Sequence, residues 1–232
     1  MTATEDLFTP IHKALRSMIY ELGGRLQSVD FSDRTASAAV LADLQHEFGN
    51  AVASTCVLCL LHSHASDEER SVFPSMQPID AGLVRMLIDE HHEIGRKLLG
   101  LTKMADDLAR VDPPEGRIEL GNRINCEANE FFAYYLAHMI KEEVTIVPAM
   151  KEHFTDDQMR AMRGAIMGAM PRERLATYLK WMLPSLTLSK LTGMLTGLKR
   201  GAPPEFLAFV AGVGAENMEP ARWAVVRERV GI

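Results

Sequence analysis

"HSHASDEERSVFP" occupies residues 62–74 and "HMIKEEVTIVP" residues 138–148, and the second repeats marks of the first at an offset of 74: His64 and His138, Glu68 and Glu142, Pro74 and Pro148. In each stretch a histidine and a glutamate stand four apart in what otherwise reads as an apolar helix. Four residues advance an α-helix by about 400° and roughly 6 Å, so each His–Glu pair points to one side from adjacent turns and can grip one object.

Outward from these stretches the chain is helical. Residues 5–26 carry Phe8, His12, Leu15, Ile19, Leu22 and Leu26 at 4-3-4-3-4 spacing, the inward seam of a helix, with His12 inside it. After the turn-rich SVDFSD, with Asp33 as N-cap, one long helical pattern is predicted over 35–72, ended by Pro74. Its run AVASTCVLCLLHSH is the stretch that reads as most buried. Asp80 opens a third helix with the seam Leu83, Leu87, His91, Ile94 and Leu98, which turns polar from Lys103 to Arg110 before the VDPPEG break. A fourth, over 114–152, places Ile124, Phe131, Tyr135, His138 and Glu142 along one side. These are two helical hairpins, each with a histidine in its first helix and His-x-x-x-Glu in its second. The expected fold is all-α: an up-down-up-down four-helix bundle over residues 1–154.

Beyond Phe154 the texture changes. Thr155-Asp-Asp-Gln158 forms a capping box, and Pro171, Pro184, the pair at 203–204 and Pro220 split the remaining chain into short helices. Residues 155–232 are therefore expected to be a helical C-terminal extension, a cap, dimerisation or partner surface that buries Trp181 and Phe206. It contains no histidine, and its methionines, Met159, Met162, Met167, Met170, Met182 and Met194, stand at helical spacing suited to packing. No segment alternates with the period of two that marks a strand.

Composition bounds the function. The chain has 232 residues, 47% of them hydrophobic and 24% charged, enough for a sizeable core. A formal charge of −6 gives no reason to expect nucleic acid or an anionic membrane as partner. The N-terminus lacks a continuous apolar region and no stretch reaches the roughly 18 apolar residues of a membrane span, which reads as cytoplasmic. Three cysteines, an odd number, argue against a disulfide framework. Cys56 and Cys59, in a CxxC without a second CxxC to complete a zinc site, read as small mid-helix core residues, with Cys56 two turns before His64.

Packed in one bundle, the helices converge four imidazoles, His12, His64, His91 and His138, and two carboxylates, Glu68 and Glu142, on one point in the core. Singly, each has a bland reading: a core histidine, or a surface pair contributing a few tenths of a kcal/mol. Together they do not, because unpaired buried carboxylates and imidazoles cost several kcal/mol each unless something compensates them. Imidazole suits iron, zinc or copper, and carboxylates favour harder ions and can bridge two of them. The set therefore points to two metal ions, iron first, with manganese and zinc accepting the same ligands.

Other candidates rank lower. His62 lies on the opposite side of its helix from His64, and His92 is one residue off the seam, so both are expected at the surface or behind the ligands. His46 lies about 27 Å from His64 by helical rise, too far to share the site. His153 is expected past its helix and solvated. Of Tyr134 and Tyr135, the second falls on the inward stripe and is a pocket and proton-donor candidate; no other catalytic residue is identified.

The order His12, His64-x-x-x-Glu68 with Phe73-Pro74, His91, then His138-x-x-x-Glu142 with Val147-Pro148 resembles the hemerythrin-like (HHE cation-binding) family over about residues 5–154. The resemblance implies a four-helix bundle with a non-haem di-iron centre, oxo- or hydroxo-bridged, held by His12, His64, Glu68, His91, His138 and Glu142. The chain departs from the oxygen-carrying hemerythrins, which use a further histidine: the residue four after His91 is Gly95. The four-His, two-Glu pattern looks more like iron-centre repair proteins of nitrosative stress and iron-sensing domains of ubiquitin ligases. It implies a small-molecule ligand, dioxygen, nitric oxide or peroxide, met either by a reactive centre or by a non-enzymatic sensor, and a homodimer through the C-terminal helices is the assembly to look for.

Overall fold

In the computed structural model, residues 5–45 and 55–232 are described, and every regular element among them is an α-helix. They are α1 (Thr9–Ser28), α2 (Arg34–Leu44), α3 (Val57–Ser71), α4 (Phe73–Met76), α5 (Ala81–Arg110), α6 (Pro114–His153), α7 (Asp156–Gly168), α8 (Arg172–Ser185), α9 (Leu188–Gly201), α10 (Pro204–Asn217) and α11 (Pro220–Val230). Helices α1, α3, α5 and α6 surround one core: α6 packs on α1 and α5, and α3 packs on the same two.

Local chemistry sets the ends of these helices. The Asp6 carboxylate accepts from the backbone N–H groups of Phe8 and Thr9, and Pro10 preorganises the first turn of α1. Asp33 accepts from Thr35 and Ala36 to start α2, as expected, and Asp80 accepts from Leu83 to start α5. The capping box of Thr155 and Gln158 opens α7. Helix α6 runs 40 residues, about 60 Å, and continues through Pro148. The N–H that Pro148 lacks would have met the carbonyl of Val144, a residue on the solvent side at 65% exposure, where water can serve that carbonyl instead.

Two expectations are corrected. The continuous helix over 35–72 is not formed: Gln45 is extended (φ −86°, ψ 101°) and closes α2, and α3 begins after an equally extended Cys56 (φ −63°, ψ 152°). The expected passage between these points, with His46, lies outside the described residues. Helix α3 also ends at Ser71, before Phe73-Pro74 open the short α4. Second, Cys56 and Cys59 form a disulfide, and Cys56 is the N-cap of α3 rather than a mid-helix residue. A helical start brings residues three apart to a Cα–Cα distance of 5.2 Å, inside disulfide range. Cys59 is fully buried, as expected of a core residue, while Cys56 is half-buried.

Residues beyond Phe154 pack back onto the first helices. Helix α8 lies along α1 and α7 touches α3. Tyr178 of α8 enters the main core, where its hydroxyl donates to the Leu60 carbonyl at 2.7 Å. Arg174, also on α8, pairs with the buried Asp67 of α3 at 3.3 Å. The other side of α8 joins α9, α10 and α11 in a second cluster, with Leu183, Leu191, Leu195, Val226 and Trp223. Trp181 packs against the main core and Phe206 against the second cluster, each partly buried. Gly214 makes room for Trp223, since a Cβ there would come within 2.7 Å of its ring.

At the far end of the main core, Arg117 of α6 is buried and donates to the carbonyls of Phe31 (2.9 Å) and Leu108 (2.8 Å) and to the Ser37 hydroxyl (2.8 Å). One side chain thus ties the α1–α2 turn, α2 and the end of α5 to α6.

Candidate metal centre

The structure brings together all six residues singled out by spacing. His12 comes from α1, His64 and Glu68 from α3, His91 from α5, and His138 and Glu142 from α6, all buried. They form two overlapping groups, His12, His64, Glu68, Glu142 and Glu68, His91, His138, Glu142; within each, one donor atom per residue lies within 4.8 Å of the others. The Nε2 atoms of His12 and His64 are 3.1 Å apart, as are those of His91 and His138. Glu68 reaches His64 at 3.0 Å, His91 at 3.4 Å and His12 at 3.9 Å; Glu142 reaches His138 at 3.2 Å, His12 at 3.3 Å and His91 at 3.8 Å. Each carboxylate therefore stands between the two imidazole pairs.

Outside this cluster, three imidazoles are held from behind. His12 Nδ1 meets Glu143 at 3.0 Å, His91 Nδ1 meets Glu69 at 2.8 Å, and His138 Nδ1 meets Glu90 at 2.8 Å. An Nδ1–H donated to a carboxylate fixes the ring and leaves Nε2 with its lone pair facing inward. Two of these carboxylates carry cations of their own: Arg16 grips Glu143 with two hydrogen bonds, 2.8 and 3.1 Å, and Lys141 pairs with Glu90. Spacing alone did not identify these outer residues. Glu69 and Glu143 do carry a signal, for they too are 74 apart.

In that tautomer Nε2 of His12, His91 and His138 and the carboxylates of Glu68 and Glu142 are all acceptors. None of the four oxygens of Glu68 and Glu142 receives a hydrogen bond of good geometry, although all are buried. Four orphaned carboxylate oxygens facing imidazole lone pairs would be strongly unfavourable without a positive charge among them. The donor set fits cations of the borderline class that accept both imidazole and carboxylate.

Without a metal, protons take that place. Burial opposes protonation of His12, but the carboxylates of Glu142, Glu143 and Glu68 outweigh it and raise its pKa well above the usual 6.5. His91 is likewise opposed by burial and raised to about 11 by Glu142, Glu68 and Glu69. Burial and the neighbouring Glu142 push the Glu68 carboxyl up, yet His64 and His12 hold it at about 2. The raised histidines stabilise the metal-free fold fully below about pH 6.5, and lose that contribution as pH rises through their folded values. Glu68 contributes above about pH 4.5 and loses it as pH falls through about 2. Both contributions are intact between these limits. A cation must displace the protons that these rings hold, so loading at pH 7 is expected to release protons, that of His91 at least. Calorimetric titration in two buffers of different ionisation enthalpy measures this; release of none would mean that both rings are already neutral.

The outer carboxylates give a second expectation. Glu143→Ala and Glu90→Ala each leave the inner six residues in place but free a ring from its anchor. Metal affinity is expected to fall roughly 10–100-fold in either variant by equilibrium dialysis. An unchanged affinity would show that packing alone orients the rings.

The other residues fall outside the cluster. His62 is half-buried, and burial lowers its pKa; His92 and His153 are exposed, His153 as the last residue of α6 rather than beyond it. Tyr134 is half-buried, with Lys97 over its ring. Tyr135 is buried with its ring 6.1 Å from that of His138, but its hydroxyl donates to the Leu61 carbonyl at 3.0 Å and so is not directed at the cluster. Burial and the charges of Glu68 and Glu142 raise its pKa well above 10.

A buried, all-helical site with two overlapping sets of imidazole and carboxylate donors defines a cation-binding class of protein. The family model of the hemerythrin HHE cation-binding domain matches residues 4–150, and the chain belongs to that family. No curated protein and no solved structure matches it. Among the described residues, no helix is long and apolar enough to cross a membrane.

Proposed function

We propose that the chain is a non-haem di-iron protein with an up-down-up-down bundle over residues 1–154, which binds or reacts with a small oxidant: dioxygen, nitric oxide or peroxide. The observation that carries this is the set of four buried, unpartnered carboxylate oxygens of Glu68 and Glu142 between two imidazole pairs. In this reading His12 and His64 would hold one ion and His91 and His138 the other, with Glu68 and Glu142, which belong to both groups, serving the two. Two imidazoles and two shared carboxylates for each ion would leave it able to take an outside ligand. Iron when bound supplies the electron chemistry. The chain's residues fix the ligands, exclude bulk water behind Phe8, which packs on His12, and Phe73, which stacks on His91, and hold protons at Nδ1 of His12, His91 and His138. Manganese or zinc would be accepted by the same donors.

Residues 155–232 act in this reading as a cap, or as a dimerisation or partner surface. A sensor whose metal state alters a partner contact is the second reading. It is favoured by one contact, the buried Asp67–Arg174 pair, which joins the residue beside Glu68 to α8. Rapid mixing of ferrous-loaded protein with each oxidant tests the first reading: an absorbance change in proportion to loaded centres is expected, and it recurs without loss of iron each time the centre is re-reduced with dithionite and the excess removed. No reaction with any of the three, together with a change in protease sensitivity between loaded and metal-free protein, would replace it with the second.

A further inference from the structure

The CxxC at the start of α3 belongs to no part of the site above. The two residues differ in exposure: Cys59 is fully buried against the core, whereas Cys56 is half-buried at the N-cap. Cys56 Sγ accepts from the backbone N–H of Cys59 at 3.1 Å, at the positive end of a 15-residue helix. Such a position favours a thiolate over a thiol.

The disulfide does little for the fold. It closes a loop between residues three apart, where cross-linking removes the least chain entropy. The start of α3 is held without it. Leu60 N–H reaches the Cys56 carbonyl at 3.0 Å, Asp43, itself gripped by Arg25, accepts from Val57 at 3.4 Å, and Tyr178 and Tyr135 donate to the carbonyls of Leu60 and Leu61. A bond that is reachable from one side and dispensable to packing can open and close in the native state.

We propose that Cys56–Cys59 is a second redox site, which accepts two electrons from an external protein dithiol of the thioredoxin class by thiol–disulfide exchange at Cys56. A thiolate of the reductant attacks Cys56 Sγ, the Cys56–Cys59 bond breaks, and Cys59 leaves as a thiolate that takes up a proton. The second thiol of the reductant, losing its proton, then attacks its own sulfur in the mixed disulfide and releases Cys56. The reductant ends as a disulfide and the chain as a dithiol. The exchange does not depend on the metal reading; if that reading holds, the dithiol stores two electrons on the helix that carries His64 and Glu68.

The test uses the full chain with the exposed Cys126 replaced, C126S, so that only this pair can react. After equilibration with oxidised glutathione, alkylation and mass measurement are expected to count no thiol. Reduced thioredoxin under native conditions is expected to raise the count to two with helical circular dichroism unchanged. Single variants sharpen the assignment: in C59S the remaining Cys56 should react with an aromatic disulfide reagent at least about tenfold faster than Cys59 does in C56S. Thiols that never pair, a bond that opens only in denaturant, or equal rates in the two variants would each overturn the proposal. Thiol counting needs no metal, so failure here and failure of the metal reading are told apart.

Discussion

Glu142→Ala is expected to abolish binding of both ions, with affinity falling by at least about 100-fold. Glu142 is fully buried and lies 3.2 Å from His138, 3.3 Å from His12 and 3.8 Å from His91, so its removal takes charge from both imidazole pairs at once. The methyl group left behind offers no donor, and water in the cavity brings no negative charge. Glu68→Ala should behave alike, because Glu68 spans His64, His91 and His12. Equilibrium dialysis against ferrous iron measures the loss. Retention of one ion at full affinity in Glu142→Ala would show that the glutamates serve separate ions rather than bridging.

The second large effect concerns stability. Arg117→Met keeps the length and apolar stem but removes every donor, leaving the carbonyls of Phe31 and Leu108 and the Ser37 hydroxyl without it. The Leu108 carbonyl keeps the Val111 N–H at 3.3 Å and the Ser37 hydroxyl its bond to the Asp33 carbonyl, so the Phe31 carbonyl alone is left unsatisfied. That costs about 1–3 kcal/mol, and with the lost charged hydrogen bonds to the other two roughly 3 kcal/mol is expected. In a chain of this size that lowers Tm by about 6–12 °C. Thermal unfolding followed by circular dichroism measures it, with metal removed so that binding does not mask the change. An unchanged Tm would mean that water replaces the guanidinium at no cost.

The inner cluster was legible because a helical period converts sequence spacing into a face. His64 with Glu68, and His138 with Glu142, are i, i+4 pairs, and His12 and His91 sit on apolar seams where nothing else explains them. The carboxylates behind the rings were harder. Glu69 and Glu143 share the offset of 74, but each is one residue off the inward stripe and reads as a solvated charge until the neighbouring helix is in place. Glu90 breaks the repeat: it precedes His91, whereas the residue before His12 is Ile11.

The misread passage was the join of α2 and α3. Its sequence carries Gly49-Asn50, a turn signal that the apolar pattern on either side outweighed in the reading, and cysteine is not among the side chains that commonly cap helices. The disulfide was missed for the same reason, since a mid-helix placement would have left the two cysteines as ordinary core residues. Arg117 shows a different limit. An arginine in a polar stretch looks solvated, and what buries it is three acceptors 80, 86 and 9 residues away in sequence. Of the extension, the helical texture and the capping box were visible, but Tyr178 and Arg174 found their partners on α3, which periodicity does not specify.

The most direct measurement is the metal content of the full chain, produced in iron-replete medium, purified without a metal-affinity tag and analysed by plasma mass spectrometry. About two irons per chain, absent when Glu68 and Glu142 are both changed to alanine, is the expected result. Less than about a tenth of an atom of any metal per chain, or undiminished metal in the double variant, would contradict a centre built on those two carboxylates.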